Sequence, residues 1–205
     1  MEEEAYLPKK CGGGVRGRFG GRFDAYHINH QDGRGLLQEI PPTNPGGDID
    51  HWDYAPPKEY FDELFRVSKN QIIWGGNYFG LPPNRCFIVW EKLTISEGFT
   101  MAMCEYAWTS FSDKNAKLYR AAPQGTKKEP RIHPTQKPVG LYAFCLRHFA
   151  NKGDKILDTH AGSASCSVAC RAHGYDCWAW EKDAVYYAMA KKRLDGTVQQ
   201  ISMLE

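Results

Sequence analysis

Asp158 and Glu181 are the two acids of this chain whose surroundings suit chemistry on a nucleoside. Asp158 closes a short apolar run, Lys155-Ile156-Leu157-Asp158, that reads as a buried strand. A turn of small residues, Thr159 to Ser165, follows, then a helix of small residues from Ser165 to about His173. A second strand, Tyr175 to Trp180, ends on Glu181, 23 positions after Asp158. In such a βαβ unit the tight turn lets backbone approach a ligand, and an acid about 20 residues on holds ribose hydroxyls. A dinucleotide fingerprint needs three glycines to seat a pyrophosphate at the helix N-terminus. This turn has only Gly162, flanked by Ala161, Ser163, Ala164 and Ser165. The Asp158 carboxylate would repel phosphate and suit an ammonium, so a ribose cofactor with an amino-acid tail, such as S-adenosylmethionine, fits better than NAD. The turn alone is equally compatible with an ordinary αβ core.

Upstream of that unit stands His133-Pro134-Thr135-Gln136-Lys137-Pro138. With this hexapeptide and the turn Asp158-Thr159-His160-Ala161-Gly162-Ser163-Ala164, the chain resembles the β-ordered DNA amino-methyltransferases, in which the family's last turn glycine is here Ala164. The likeness continues through Glu59 to Phe79, Phe87 to Lys92 and Glu105 to Phe111, and covers roughly residues 55 to 195. It implies an α/β, Rossmann-like methyltransferase fold with a mostly parallel sheet flanked by helices, permuted so that the cofactor half is C-terminal. It implies S-adenosylmethionine as cofactor and DNA as partner, with adenine N6 favoured over cytosine N4. The cofactor-binding residues expected on this basis are Thr135, Gln136, Lys137, Asp158, Thr159, His160, Gly162, Ser163, Ser165 and Glu181. Thr135, Gln136 and Lys137 are placed near the methionine carboxylate, and Glu181 on the ribose.

One part of the family pattern is missing. Its members carry an Asp-Pro-Pro-Tyr-type tetrapeptide whose polar first residue accepts from the target amino group and whose aromatic stacks on the flipped base. No such tetrapeptide occurs here; before the glycine loop at Gly12 the chain reads Leu7-Pro8-Lys9-Lys10. The strand that should carry it lies mid-sheet beside the first cofactor strand, and Glu4 to Leu7 is the short stretch assigned to it. A gap there would leave buried backbone groups unpaired at about 1–3 kcal/mol each. The catalytic residues are therefore not identified, and weak or absent turnover is expected. The alternative is a truncated or decayed relic that serves at most as a DNA- or cofactor-binding module.

The surrounding elements must position these groups. Residues 1–54 are Gly-, Pro- and Asp-rich and read as mostly loop. Residues 55–111 hold the catalytic-half core: a helix opened by Pro57, a buried strand Gln71 to Trp74, and strands at Cys86 to Trp90 and Met103 to Ser110. Residues 112–132 read as a basic recognition loop and 133–205 as the cofactor half, with helices Val139 to Phe149 and Ala184 to Leu194, the latter stopped at Gly196. At 42% hydrophobic content the whole is expected to form one domain. Trp74, Trp90, Trp108 and Trp180 fall at strand positions and read as core, and Asn77 follows a strand end where ligands bind.

Arg16, Arg18 and Arg22 alternate with Phe19, Phe23 and Tyr26 in a glycine-rich loop suited to phosphate contact and base stacking. With Lys127, Lys128 and Arg131 they are the candidate DNA contacts, and a solvated basic loop is the alternative. A net charge of +2 does not by itself argue for nucleic acid. No apolar run approaches the ~18 residues of a membrane span. Seven cysteines, in apolar or helical settings, read as reduced thiols of a cytoplasmic protein. The spacing of Cys166, Cys170 and Cys177 is unlike a zinc knuckle, and no metal is expected.

Overall fold

A computed structural model describes residues 25–28, 55–123, 130–181 and 183–202. The described strands are β1 (Ala25–Ile28), β2 (Ile72–Trp74), β3 (Phe87–Lys92), β4 (Cys104–Thr109), β5 (Lys117–Ala121), β6 (Lys155–Asp158) and β7 (Asp176–Ala179). The helices are α1 (Lys58–Val67), α2 (Val139–Phe149), α3 (Ser165–Ala172) and α4 (Ala184–Ser202). The strands form one sheet in the order β5-β3-β4-β2-β1-β6-β7. Only β4 runs against its neighbours, β2 and β3; the other pairs are parallel. This is the expected α/β fold with its β6-α3-β7 unit last in the chain.

Alternation on the strands explains the layers. Ile72 and Trp74 of β2 join Ile88, Trp90, Ala107, Leu141, Cys145 and Phe149 in one core, while Ile73 between them joins Leu64, Trp108 and Leu157 in another. Strand residues point alternately to the two faces, so one three-residue strand serves both cores. Helix α2 binds the two halves of the sheet together. Its Leu141, Cys145 and Phe149, one turn apart, pack on the β2-β3-β4 side; Tyr142 and Leu146 pack with Ile156, Cys166, Ala169, Cys170 and Cys177 on the β6-β7 side.

Three sequence expectations need correction. Ala25–Ile28, read as loop, is the mid-sheet strand: it pairs parallel with β6 on one side and β2 on the other. Glu4 to Leu7, the stretch assigned to that place, lies outside the described residues. Four residues flanked by glycine and polar residues show too little alternation to betray a strand, and tertiary pairing decides it. The basic segment 112–132 likewise contains β5, at the sheet edge on β3. Ala121 is buried there, and its carbonyl accepts the Trp90 Nε1–H at 3.0 Å. Helix α4 does not stop at Gly196 but runs on to Ser202. Nothing crowds Gly196, and a glycine inside an exposed helix costs only about 1 kcal/mol.

Candidate functional site

Asp158 ends β6 only 1% exposed, and its Oδ1 accepts the His160 N–H at 3.1 Å. The Trp180 N–H donates to the Asp158 carbonyl at 2.9 Å, and the Ala161 N–H to the Trp180 carbonyl at 2.7 Å. These bonds carry the β6–β7 pairing past the strand ends and bring Glu181 to the turn. Its Oε2 accepts the Gly162 N–H at 2.7 Å, and its Oε1 the Asp183 N–H at 3.0 Å. The turn closes through two left-handed residues, Gly162 (φ 52°) and Ala164 (φ 58°). Glycine adopts that conformation freely, whereas an L side chain there costs about 1–2 kcal/mol. Ala164→Gly is therefore expected to stabilise the fold by about 0.5–1 kcal/mol, read by urea unfolding. A variant no more stable than the parent would show that the left-handed turn carries no strain.

The two serines of the turn face inward. Ser163 and Ser165 share a hydrogen bond at 3.0 Å, and Arg193 of α4 donates to the Ser163 carbonyl at 2.8 Å and to Ser165 Oγ at 2.9 Å. Arg193 clamps the turn to α4; no sequence pattern marked it. On the other side Thr159 Oγ1 lies 2.9 Å from the Tyr60 hydroxyl of α1 and 3.0 Å from His160 Nδ1. The Tyr60 ring meets His160 edge-on at 5.7 Å. Burial pushes the Tyr60 phenol well above its ordinary range, so it stays protonated and can donate. In the sequence Tyr60 was visible only as part of the apolar face of α1.

The His133-to-Lys137 run lies across the turn. The His133 ring stands 3.4 Å from where a Cβ on Gly162 would be, and meets Tyr186 edge-on at 4.4 Å. Its Nδ1 receives the Thr135 N–H at 3.4 Å and lies 3.2 Å from Thr135 Oγ1. Gln136 closes the segment on itself, accepting the Ile132 N–H and donating to the Pro130 carbonyl. Lys137 turns to Glu105 of β4, with Nζ 3.1 Å from Oε2. Of the ten expected cofactor residues, seven thus share one turn and its acid, Thr135 reaches that turn through His133, and Gln136 and Lys137 bond elsewhere. Arg131 is exposed and donates to the His133 carbonyl at 3.3 Å. Arg16, Arg18, Arg22, Lys127 and Lys128 lie outside the described residues.

Burial first, then the Lys137 charge, lowers the His133 pKa to about 4. The folded protein holds the ring neutral, whereas the unfolded chain protonates it near pH 6.5. Folding stability is then lost as pH falls from about 6.5 toward 4, by on the order of 2–3 kcal/mol. His133→Gln removes that dependence. Its stability deficit at pH 7 is expected to shrink by about 2 kcal/mol at pH 4.5 in denaturant unfolding. A deficit that stays constant between the two pH values would contradict the neutral, buried ring.

The structure also brings together what the cysteine spacing did not suggest. Cys166 and Cys170, one helical turn apart on α3, meet Cys177 of β7, with all three sulfurs within 4.8 Å of one another. Contacts with Cys170 and Cys177, and then burial, push the Cys166 thiol well above its ordinary range. The three side chains pack among Tyr142, Leu146 and Ile156.

Comparison with known proteins fixes the class. The N6/N4 DNA methylase family profile matches residues 55–192, and the chain belongs to that family. The Type II methyltransferase M.HpaI of Haemophilus parainfluenzae is 35% identical over 68 residues, covering 33% of this chain and 22% of that protein. The Type II methyltransferase M2.MboI of Moraxella bovis is 28% identical over 116 residues, covering 56% of this chain and 36% of that protein. The chain thus spans about a fifth to a third of the curated relatives it matches. Among solved structures, the M1.HpyAVI–SAM complex aligns at TM-score 0.54 and 18% identity, over 84% of this chain and 90% of that one. The cytosine-N4-specific PvuII DNA methyltransferase aligns at TM-score 0.53 and 11% identity, over 88% and 86%. These two share the fold. No helix among the described residues is long and apolar enough to cross a membrane.

Proposed function

We propose that this chain transfers a methyl group from S-adenosylmethionine to an exocyclic amino group of DNA, adenine N6 in the first place. The observation that carries the reading is the joined turn. Asp158, the left-handed Gly162 and the Glu181 carboxylate converge on it, with His133 packed over it, in a chain of the N6/N4 family. The donor set suits the cofactor: a buried carboxylate for its ammonium, an acid for its ribose, and no phosphate cradle. When bound, the cofactor supplies an electrophilic methyl on sulfur. The protein's work is to aim the amino nitrogen at that methyl and to keep the base out of its stack.

The position of β1 moves the place to look for that aiming group. β1 lies beside β6, where the family carries its catalytic tetrapeptide, so Leu7-Pro8-Lys9-Lys10 is not the segment to compare. The residues that follow β1 in the chain are Asn29-His30-Gln31-Asp32, which lie outside the described residues. Asn29 has a carboxamide oxygen able to accept from an amino group. Arg16, Arg18, Arg22, Lys127, Lys128 and Arg131 are the residues we assign to DNA contact, in a cytoplasmic, restriction–modification setting. One observation favours a second reading, a relic that binds without catalysing: residues 29–32 contain neither proline nor a phenylalanine, tyrosine or tryptophan.

The test is tritiated methyl transfer from S-adenosylmethionine to mixed-sequence DNA, with chromatography of the digested product. Labelled N6-methyladenine supports the reading, and labelled N4-methylcytosine corrects the base. Calorimetric binding of S-adenosylhomocysteine without any transfer supports the relic. Neither binding nor transfer removes both.

A further inference from the structure

Lys92, Glu105 and Lys137 form a buried charged cluster where β3 ends and β4 begins. Alternation puts Ile88, Trp90 and Lys92 on the face under α2, and the Trp90–Glu105 register puts Glu105 there too. Lys92 Nζ lies 2.8 Å from one carboxylate oxygen and Lys137 Nζ 3.1 Å from the other. The two lysine side chains are 6% and 4% exposed, the glutamate 24%. Each ammonium also stands over an indole, Lys92 at 5.4 Å from Trp90 and Lys137 at 5.9 Å from Trp74. Burial would raise the Glu105 pKa, but the two ammonium groups override it and hold the carboxyl below its ordinary value.

Buried ion pairs add little net stability, and their best-attested use is to fix one arrangement among several. The segment this cluster would fix has no helix or strand of its own. Its internal bonds, Ile132 N–H to Gln136 Oε1 and Gln136 N–H to the His133 carbonyl, set its shape but not its place. Its place is set at two ends: His133 against Gly162 and Tyr186, and Lys137 on Glu105. We propose that Glu105 is a positioning residue for the cofactor turn: through Lys137 it holds residues 133–137 over Gly162. Lys92 fixes the Glu105 carboxylate from the other side. Lys137 is then a tether, and its ammonium is spent on protein instead of ligand.

The effect on cofactor binding rests on the function proposed above; the effect on the segment does not. Amide hydrogen exchange of the full chain reads the segment directly. In Glu105→Gln the amides of Ile132 and Gln136 are expected to exchange at least tenfold faster, with those of Ile156 and Leu157 in β6 unchanged. If Glu105→Gln does not fold, Glu105→Asp, which keeps the charge and shortens the reach, carries the same comparison. Calorimetry reads the consequence. Glu105→Gln and Lys137→Met should each weaken S-adenosylhomocysteine binding at least tenfold, and the double variant should be no more than twofold worse than the weaker single. A folded Glu105 variant with parental exchange at Ile132 and Gln136 overturns the proposal, and so do single effects that multiply in the double variant. Failure of the parent to bind S-adenosylhomocysteine removes the cofactor reading, while the exchange comparison still decides the role of Glu105.

Discussion

Asn29→Ala is expected to lower methyl transfer to DNA by about 100-fold or more, while Leu7→Ala leaves it at the parental rate. The expectation comes from the sheet. β1 pairs His27 with Asp158 of β6 and Ile28 with Ile73 of β2, so it delivers the chain to the level where the cofactor turn begins. In open α/β sheets ligands bind beyond the carboxyl ends of the strands, and Asn29 is the next residue in the chain after that end. An amino group about to be methylated needs an acceptor to aim its lone pair at the methyl carbon. A carboxamide oxygen can do that; an alanine methyl cannot. The stacking partner is a separate matter. His30-Gln31-Asp32 supplies no phenylalanine, tyrosine or tryptophan, only the smaller His30 imidazole, and loss of base stacking costs about 1–3 kcal/mol. Parental turnover is therefore expected to be modest even with Asn29 intact. The measurement is initial-rate tritium incorporation at saturating cofactor. Equal rates for Asn29→Ala and parent would place the acceptor elsewhere, and a fall with Leu7→Ala would restore the more N-terminal placement.

Why the sequence misplaced that strand is physical. β6 was legible because a buried parallel strand reads as a continuous apolar run, Ile156-Leu157 here, bounded by charge and turn. The helices α1 and α2 were legible because their apolar residues recur at helical spacing. Ala25–Ile28 has neither signal: four residues, one small and two polar-ended, whose strand character comes from being held between β2 and β6. β5 was hidden by its composition, since an edge strand tolerates charge, here Lys117 and Arg120. The geometry of the candidate turn was legible in outline for a related reason. A left-handed turn and an acid after the next strand leave local marks in the chain, whereas Arg193 and Tyr60 reach the turn from elements 28 to 99 positions away. Contacts of that kind have no local pattern to read.

Glu181→Ala is expected to raise the dissociation constant for S-adenosylhomocysteine about 100-fold, with the fold retained by circular dichroism. The carboxylate has one duty in the structure and, on the proposed function, a second. Its oxygens take the Gly162 and Asp183 N–H groups at 2.7 and 3.0 Å, which ties the turn to the end of β7. A carboxylate has about four lone-pair sites, so the same oxygens can still accept ribose hydroxyls. A hydrogen bond to a charged group contributes about 1.5–3 kcal/mol, so two ribose bonds at the low end give about 3 kcal/mol, or roughly 100-fold. Glu181→Gln separates the duties. Its single carbonyl oxygen can take one backbone N–H, but its amino group repels the other, and with no charge each ribose bond weakens; about a tenfold loss is expected. The brace alone predicts a different order: if Glu181 only shapes the turn, Glu181→Ala lowers thermal stability and cofactor affinity together, and a 2′-deoxyribose analogue loses as much affinity in the variant as the ribose form. If Glu181 holds the ribose, the parent discriminates against the deoxy analogue and Glu181→Ala does not. Parental affinity in a folded Glu181→Ala protein would take this acid out of the site altogether.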